Sequence, residues 1–366
     1  MRLIAVVFFF LTILTAAVPD SSLDQLIAAH EAALGGKGAI QKLHSIVIRG
    51  VYHEPGPIAD NAALIPHAYQ AWMRPYFEHI GDPADQHPNL REGFDGSSWE
   101  YYGDPGVTVR TVGAAAAATR HGAEFLQDSL LDSANKGTRL ALEGWEEIAN
   151  NPAWRIRARL IDGSEKIIFL DKRTLLIVAE RKSAQLHAFG KPVLSETRFS
   201  EYKPFAGVMM WQTARETDIK SGDVLNEFRR VKVEVNTVSD VAEFSPPNLP
   251  QTPLQRWLEL LYAERADPVS VRYSYRLFRE ANPALDTRAG IEFIGYQMVK
   301  MGDLKSAIEL LKANATDYPA SASAQFGLGR AYTAAGDAEN ARKSFSRALT
   351  IYPDFKKATE GLNALR

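Results

Sequence analysis

Cysteine is absent from all 366 residues. That excludes disulfides, and it excludes lipid attachment through the cysteine that follows the signal of a bacterial lipoprotein. A chain of this kind must hold itself together by packing alone. An excess of one charge is missing too: 42 Lys and Arg face 44 Asp and Glu, a formal net charge of −2. Nucleic-acid binding rests on neutralising phosphates, so no nucleic-acid partner is expected. Long apolar runs are confined to the first residues. Leu3 to Leu14 is apolar apart from Thr12, behind the lone charge of Arg2 and ahead of the small residues Thr15-Ala16-Ala17. The run ends near Val18, short of the ~20 residues a spanning helix needs. Residues 1–17 therefore read as a cleaved export signal, and a periplasmic or extracellular bacterial address is expected.

Signatures of chemistry are also scarce. There is no His-Glu-x-x-His, no Gly-x-Ser-x-Gly, no phosphate loop and no dinucleotide fingerprint. Glu78, His79, Asp82, Asp85 and His87 cluster in a proline-containing loop, a poor frame for metal geometry. Ser133-Ala-Asn-Lys136 and Lys220-Ser-Gly222 mimic two penicillin-binding motifs, yet the serine follows a helical stretch where it should open one. No catalytic set, metal or cofactor is expected, and the protein reads as a non-enzyme.

What is present is a change of pattern along the chain. Leu23 to Leu34 has a helical apolar face closed by Gly35-Gly36. From Ser45 to about Asn236 the pattern is strand-like. Arg155, Arg157 and Arg159 alternate with Ile156, Ala158 and Leu160, so one face is wet and the other buried; Val231 to Asn236 repeats the alternation. About ten strands with tight turns predict one large antiparallel sheet, interrupted by a helix over Gly113 to Leu131. The arginine stripe reads as a solvated strand face rather than a head-group site. Four prolines between Pro246 and Pro253 mark a linker at 245–253. Residues 254–366 read as helical throughout.

In this helical region the segments 288–321 and 322–355 match at a spacing of 34 residues. Gly295 recurs as Gly329, Gly302-Asp303 as Gly336-Asp337, Ala307 as Ala341 and Pro319 as Pro353. Small residues at those places let two helices cross closely, and the prolines end the second helix. This region resembles the tetratricopeptide repeat family. Helices at 254–264 and 269–280 would stack on the front, and Phe355 to Leu365 would cap the back. The resemblance implies a groove for a protein or peptide partner lined by Glu292, Tyr296, Val299, Lys300, Phe326, Arg330 and Thr333. Members that clamp a chaperone's terminal carboxylate use Lys and Asn where this chain has Glu292 and Tyr296, which counts against that ligand.

The order of elements in residues 20–247 resembles the outer-membrane lipoprotein-sorting family. The residues carrying it are Ala33-Leu34-Gly35-Gly36 before Ile46 to Gly50, the hairpin from Phe94-Asp95-Gly96 to Trp99-Glu100-Tyr101, Phe169-Leu170-Asp171, and Phe199 to Lys203 leading to Gly207-Val208. The fold class it implies is α+β: a large curved antiparallel half-barrel with packed helices, here followed by the all-helical array. It also implies a cavity for lipid or acyl chains between the sheet and its helices. Trp72, Trp99, Tyr101 and Trp211 are the candidate lining residues, with burial in an ordinary core as the competing reading for each. The alternative for the whole protein is a scaffold whose sheet domain is fully packed and whose repeats assemble an envelope complex.

Overall fold

The computed structural model describes residues 22–54, 63–82, 84–85, 90–103, 105–184, 192–263 and 267–365. The expected signal at 1–17 and its cleavage site lie outside these, as does His87. The chain enters through α1 (Leu23–Ala33), opened by a capping box in which Ser22 and Gln25 satisfy each other's backbone N–H groups. Gly35 and Gly36 then take φ of +120° and +82°, and a Cβ on Gly35 would lie 2.0 Å from the Gly207 carbonyl oxygen. Only glycine allows this turn and this approach. A short α2 (Lys37–Gln41) leads into the sheet.

Six strands follow as a meander: β1 (Ser45–Glu54), β2 (Ala63–Met73), β3 (Phe77–Ile80), β4 (Leu90–Phe94), β5 (Ser98–Tyr102) and β6 (Val107–Arg110). After α3 (Gly113–Gly122) come β7 (Arg139–Ile148), β8 (Asn151–Arg159), β9 (Glu165–Asp171), β10 (Ile177–Ala184), β11 (Val193–Ser200), β12 (Lys203–Phe205), β13 (Val208–Met210), β14 (Thr213–Asp218) and β15 (Val224–Val235). Thirteen strands form one sheet in the order 6-5-4-3-2-1-15-14-11-10-9-8-7, antiparallel at every pairing, and β12–β13 is a separate hairpin. The end strands β6 and β7 do not pair, so the sheet is curved and unclosed, as the half-barrel expectation required. Short strands make up most of the excess over the expected ten or so. β3, β6, β12 and β13 have only three or four residues, too few to show alternation.

The expected alternation in β8 holds. Ile156 and Ala158 are fully buried on the inner face, while Arg155 bonds Glu143 (3.0 Å) and Glu146 (3.1 Å) and Arg157 bonds Glu165 (2.7 Å) on the outer face. The stripe is thus a surface ion-pair ladder. The expected helix over Gly113 to Leu131 is corrected: it stops at Gly122, and a 3-10 turn at Phe125–Gln127 follows in which Leu126 and Gln127 have φ of 63° and 54°. Phe125, Leu126 and Leu131 pack into the main core and Leu130 into a neighbouring cluster, which one helical face does not permit.

After β15 the chain crosses the outer face. Val238 and Phe244 bury Val47, Tyr69, Ala71 and Met73 there. The linker then delivers α4 (Pro253–Ala263), α5 (Pro268–Ala281), α6 (Arg288–Lys300), α7 (Leu304–Asp317), α8 (Ala322–Ala334), α9 (Ala338–Ile351) and α10 (Lys356–Asn363). This is the expected array of hairpins with a front pair and a terminal cap. It is no free tail: Trp257, Leu258, Leu261 and Tyr262 of α4 share one core with Val107 and Val109 of β6, and the Tyr262 hydroxyl donates to the Arg110 carbonyl at 2.8 Å. Tyr102 meets Phe293 of α6 edge-on at 4.8 Å. The inner face at one end of the sheet is therefore covered by the first hairpins of the array.

The repeated small residues do what their spacing implied. A Cβ on Gly295 would stand 2.7 Å from Leu311, and one on Gly329 would stand 2.7 Å from Phe345. Gly329→Leu should cost about 1–3 kcal/mol by overpacking. Denaturant unfolding of the full chain checks this, and an unchanged midpoint would contradict the packing described.

Candidate functional site

The inner face of the central strands is apolar because their alternation puts Ile46, Ile48, Trp72, Ala214 and Phe228 on one side. No second sheet covers it. Three separate pieces do: α1–α2, the turn after α3, and the β12–β13 hairpin, which the Met209 N–H ties to the Leu34 carbonyl at 2.8 Å. Between the sheet and this plug lies a cavity of about 40 Å³. Its apolar wall includes Leu34, Trp72, Leu126, Phe199, Met210 and Trp211; its polar wall includes His30, Asp128, Glu180, Tyr202 and Arg230. By comparison, a cavity that holds benzene measures on the order of 150 Å³. The space seen here takes a few waters and is too small for an acyl chain.

Two pieces of the plug, α1 and the turn after α3, are joined by a buried pair. His30 in α1 is fully buried; its Nε2 donates to Asp128 Oδ2 at 2.7 Å and its Nδ1 donates to the Leu175 carbonyl at 2.6 Å. Two acceptors require both ring nitrogens to carry hydrogen, so the ring is an imidazolium. Burial alone would lower the His30 pKa, but the charge and hydrogen bond of Asp128 outweigh it and raise the pKa above 6.5. Burial pushes Asp128 up, and His30 outweighs that and holds it below 3.8. A raised basic group stabilises fully below its unfolded pKa and loses this as pH climbs through the folded value; a depressed acid does the reverse. The latch therefore contributes in full between about pH 3.8 and pH 6.5 and weakens above. The melting-temperature gap between wild type and His30→Gln should shrink from pH 6 to pH 9; a gap that widens would contradict the charged state.

Arg230 differs from its neighbours. Among the described residues nothing accepts a hydrogen bond from its guanidinium, and its buried Nε has no partner. The guanidinium carbon lies 3.4 Å over the Trp211 ring, and burial pushes the pKa down to about 9. Glu180, by contrast, is paired with Lys166 at 3.3 Å.

Of the four aromatics expected at a cavity, the structure brings Trp72 and Trp211 to it. Trp99 and Tyr101 do not line it. The register Val47–Ala71–His79–Gly93–Trp99 places Trp99 on the outer face, where its Nε1 donates to the Phe244 carbonyl at 2.9 Å. Tyr101, two residues on, shares that face. Expecting all four together fails because a strand exposes alternate residues to opposite sides, and composition does not say which. Sequence reasoning missed His30, Asp128, Tyr202 and Arg230. Of these Arg230 had a readable signal, a charge two residues from Phe228 on the same strand.

Val231 to Asn236 needs a local correction. Val233 and Val235 face inward, but Val231 has no partner across the ladder and is 71% exposed. It is a β-bulge, and it reverses the parity of everything before it.

Of the seven residues expected at a partner groove, Glu292, Tyr296, Lys300 and Arg330 come together and the other three are taken up in internal contacts. Arg330 of α8 stacks on Tyr296 of α6 at 3.7 Å, and Lys300 approaches the same ring at 5.7 Å. Burial raises the Glu292 pKa, with Ser323, Arg330 and Lys357 pulling against it, so these residues share one locale. Val299 turns into the core beside Leu311, and Phe326 packs between Phe345 (5.8 Å) and Phe355 (5.0 Å). The Thr333 hydroxyl is spent on the Gly329 carbonyl at 2.9 Å. Among the described residues no group of three or more His, Asp or Glu is placed to hold a metal ion.

Fold and site together define an unclosed, plugged sheet joined to an array of helical hairpins. A family model described as tetratricopeptide repeat matches residues 298–360. No curated protein matches the chain. Similar solved structures include a DUF1329 family protein from Desulfovibrio piger, at 11% identity over 62% of this chain and 98% of that one, with a TM-score of 0.43. A LolA superfamily protein from Nitrosomonas europaea is 14% identical over 62% of this chain and 98% of that one, with a TM-score of 0.42.

Proposed function

We propose that this is a binding protein of the bacterial envelope with two ligands. The sheet domain holds a greasy chain between its inner face and the plug, and the helical array holds a segment of a partner protein across α6 and α8. The observation that carries the first half is the covering of the inner face. An apolar sheet face is closed by three separate segments around a residual cavity, where a sandwich would close it with a second sheet. A chain gains about 0.8 kcal/mol per buried methylene, so a dozen methylenes supply about 10 kcal/mol toward shifting the plug. Tyr296, Arg330, Lys300 and Glu292 support the second half, offering an aromatic and charged surface to a peptide. The envelope location rests on the export-signal reading; among the described residues no helix is long and apolar enough to cross a membrane.

The test is saturable uptake of a fluorescent fatty acid by the full chain without residues 1–17, with competition by unlabelled lipid. One observation favours a second reading: the cavity is only about 40 Å³. A sheet packed that closely also suits a scaffold that binds no lipid. Folded protein that takes up no lipid and carries none from the cell supports the scaffold.

A further inference from the structure

The charged groups lining the cavity cancel in pairs except at one place. His30 neutralises Asp128, and Lys166 neutralises Glu180. Arg230 remains, 9% exposed, with an orphaned Nε and, among the described residues, no carboxylate on it. The Trp211 ring beneath it returns some cation–π attraction. Taking an unpaired ion out of water costs more than such a stack returns, so the burial is not offset. The Tyr202 hydroxyl is no help, since it donates to the Ile177 carbonyl at 2.7 Å.

A register shift in β15 creates this situation. Val235 and Val233 face the core, and unbroken alternation would turn Val231 inward and Arg230 to solvent. The bulge at Val231 does the opposite: it leaves a valine exposed and turns both Phe228 and the Arg230 guanidinium inside. The bulge also buries Phe228, which accounts for it, but the guanidinium carried in with that ring stays unsatisfied, and buried polar groups left unsatisfied in a native protein call for a ligand or strain to explain them.

We propose that the cavity receives the head of an anionic amphiphile, a carboxylate or phosphate ester on an acyl chain, with the head on the Arg230 guanidinium and the chain on the apolar inner face. This rests on the greasy-ligand reading above and adds the head group to it. A guanidinium held 3.4 Å over an indole uses none of its N–H groups on the ring, and its planar fork matches carboxylate and phosphate oxygens. The cavity of about 40 Å³ beside it suits a head group before the plug moves.

Displacement of a fluorescent fatty acid from the full chain without residues 1–17 tests this, with palmitate, hexadecanol and inorganic phosphate as competitors. Palmitate should outcompete hexadecanol by about tenfold or more, as a charge-assisted hydrogen bond implies. Inorganic phosphate should not displace the probe. Arg230→Met should abolish the preference for palmitate over hexadecanol, and Arg230→Lys should retain some of it. Arg230→Met should also melt no lower than wild type, because it removes an unpaired buried charge. Equal competition by palmitate and hexadecanol in wild type, or a preference that survives Arg230→Met, overturns the head-group assignment and leaves the greasy-ligand reading standing. Displacement by phosphate alone overturns it in favour of a free-anion site. A wild type that takes up no probe at all removes both readings together.

Discussion

Trp99→Ala should destabilise the full chain by about 3–5 kcal/mol, the range for truncating a fully buried tryptophan. Trp99 is 0% exposed, meets His79 edge-on at 5.4 Å, and holds the strap that crosses the outer face through its bond to Phe244. Gly93 leaves it room: a Cβ there would stand 2.6 Å from the indole. The loss should appear in denaturant unfolding, and fatty-acid affinity per folded molecule should be unchanged because the ring faces away from the cavity. A variant that keeps its stability but loses uptake would put Trp99 on the wrong face.

Asp128→Ala should cost about 3–5 kcal/mol when measured below pH 6, where it strands His30 as a buried imidazolium. Above neutral pH the cost should fall, since the ring escapes by shedding its proton while Nδ1 keeps its bond to Leu175. The Lys136 ammonium, bonded to the Asp128 backbone carbonyl at 2.8 Å, remains held, so the turn itself has a second anchor. Unfolding midpoints at two pH values separate this from simple cavity formation, whose cost does not follow the titration of His30. Equal losses at both pH values would contradict a charged latch.

The sequence was most legible where a pattern repeats. The 34-residue period placed α6 to α9 within a few residues, because small side chains at crossing points and turn glycines are local requirements. The alternation at Arg155 to Leu160 was equally plain, and the glycine pair after α1 marked a turn that no other residue allows. The cavity was legible only by half. Trp72 and Trp211 reach it, while Trp99 and Tyr101 lie one strand parity away, and parity depends on registers that pairing partners set. The bulge at Val231 is invisible in the sequence for the same reason: its cause is the mismatch with Arg49 and Gly50, far earlier in the chain. The end of α3 at Gly122 was hidden by helix-forming residues beyond it, which tertiary packing draws into a turn. His30 and Asp128 stand 98 positions apart and meet only through the fold.

On the proposed function, a chain enters by parting α1–α2 from the β12–β13 hairpin. The absence of cysteine makes this directly testable, since any introduced pair has no competitor. A Cβ on Gly207 would lie 3.7 Å from the Ala39 Cβ, within the usual span of a disulfide; Gly207 has φ of +82°, so its substitution carries a strain that is the same in both redox states. Ala39→Cys with Gly207→Cys would tie α2 to the β12–β13 hairpin that sits between β11 and β14. Fluorescent fatty-acid uptake should be lost in the oxidised protein and return on reduction. Uptake that is saturable and equal in both redox states would contradict a moving plug.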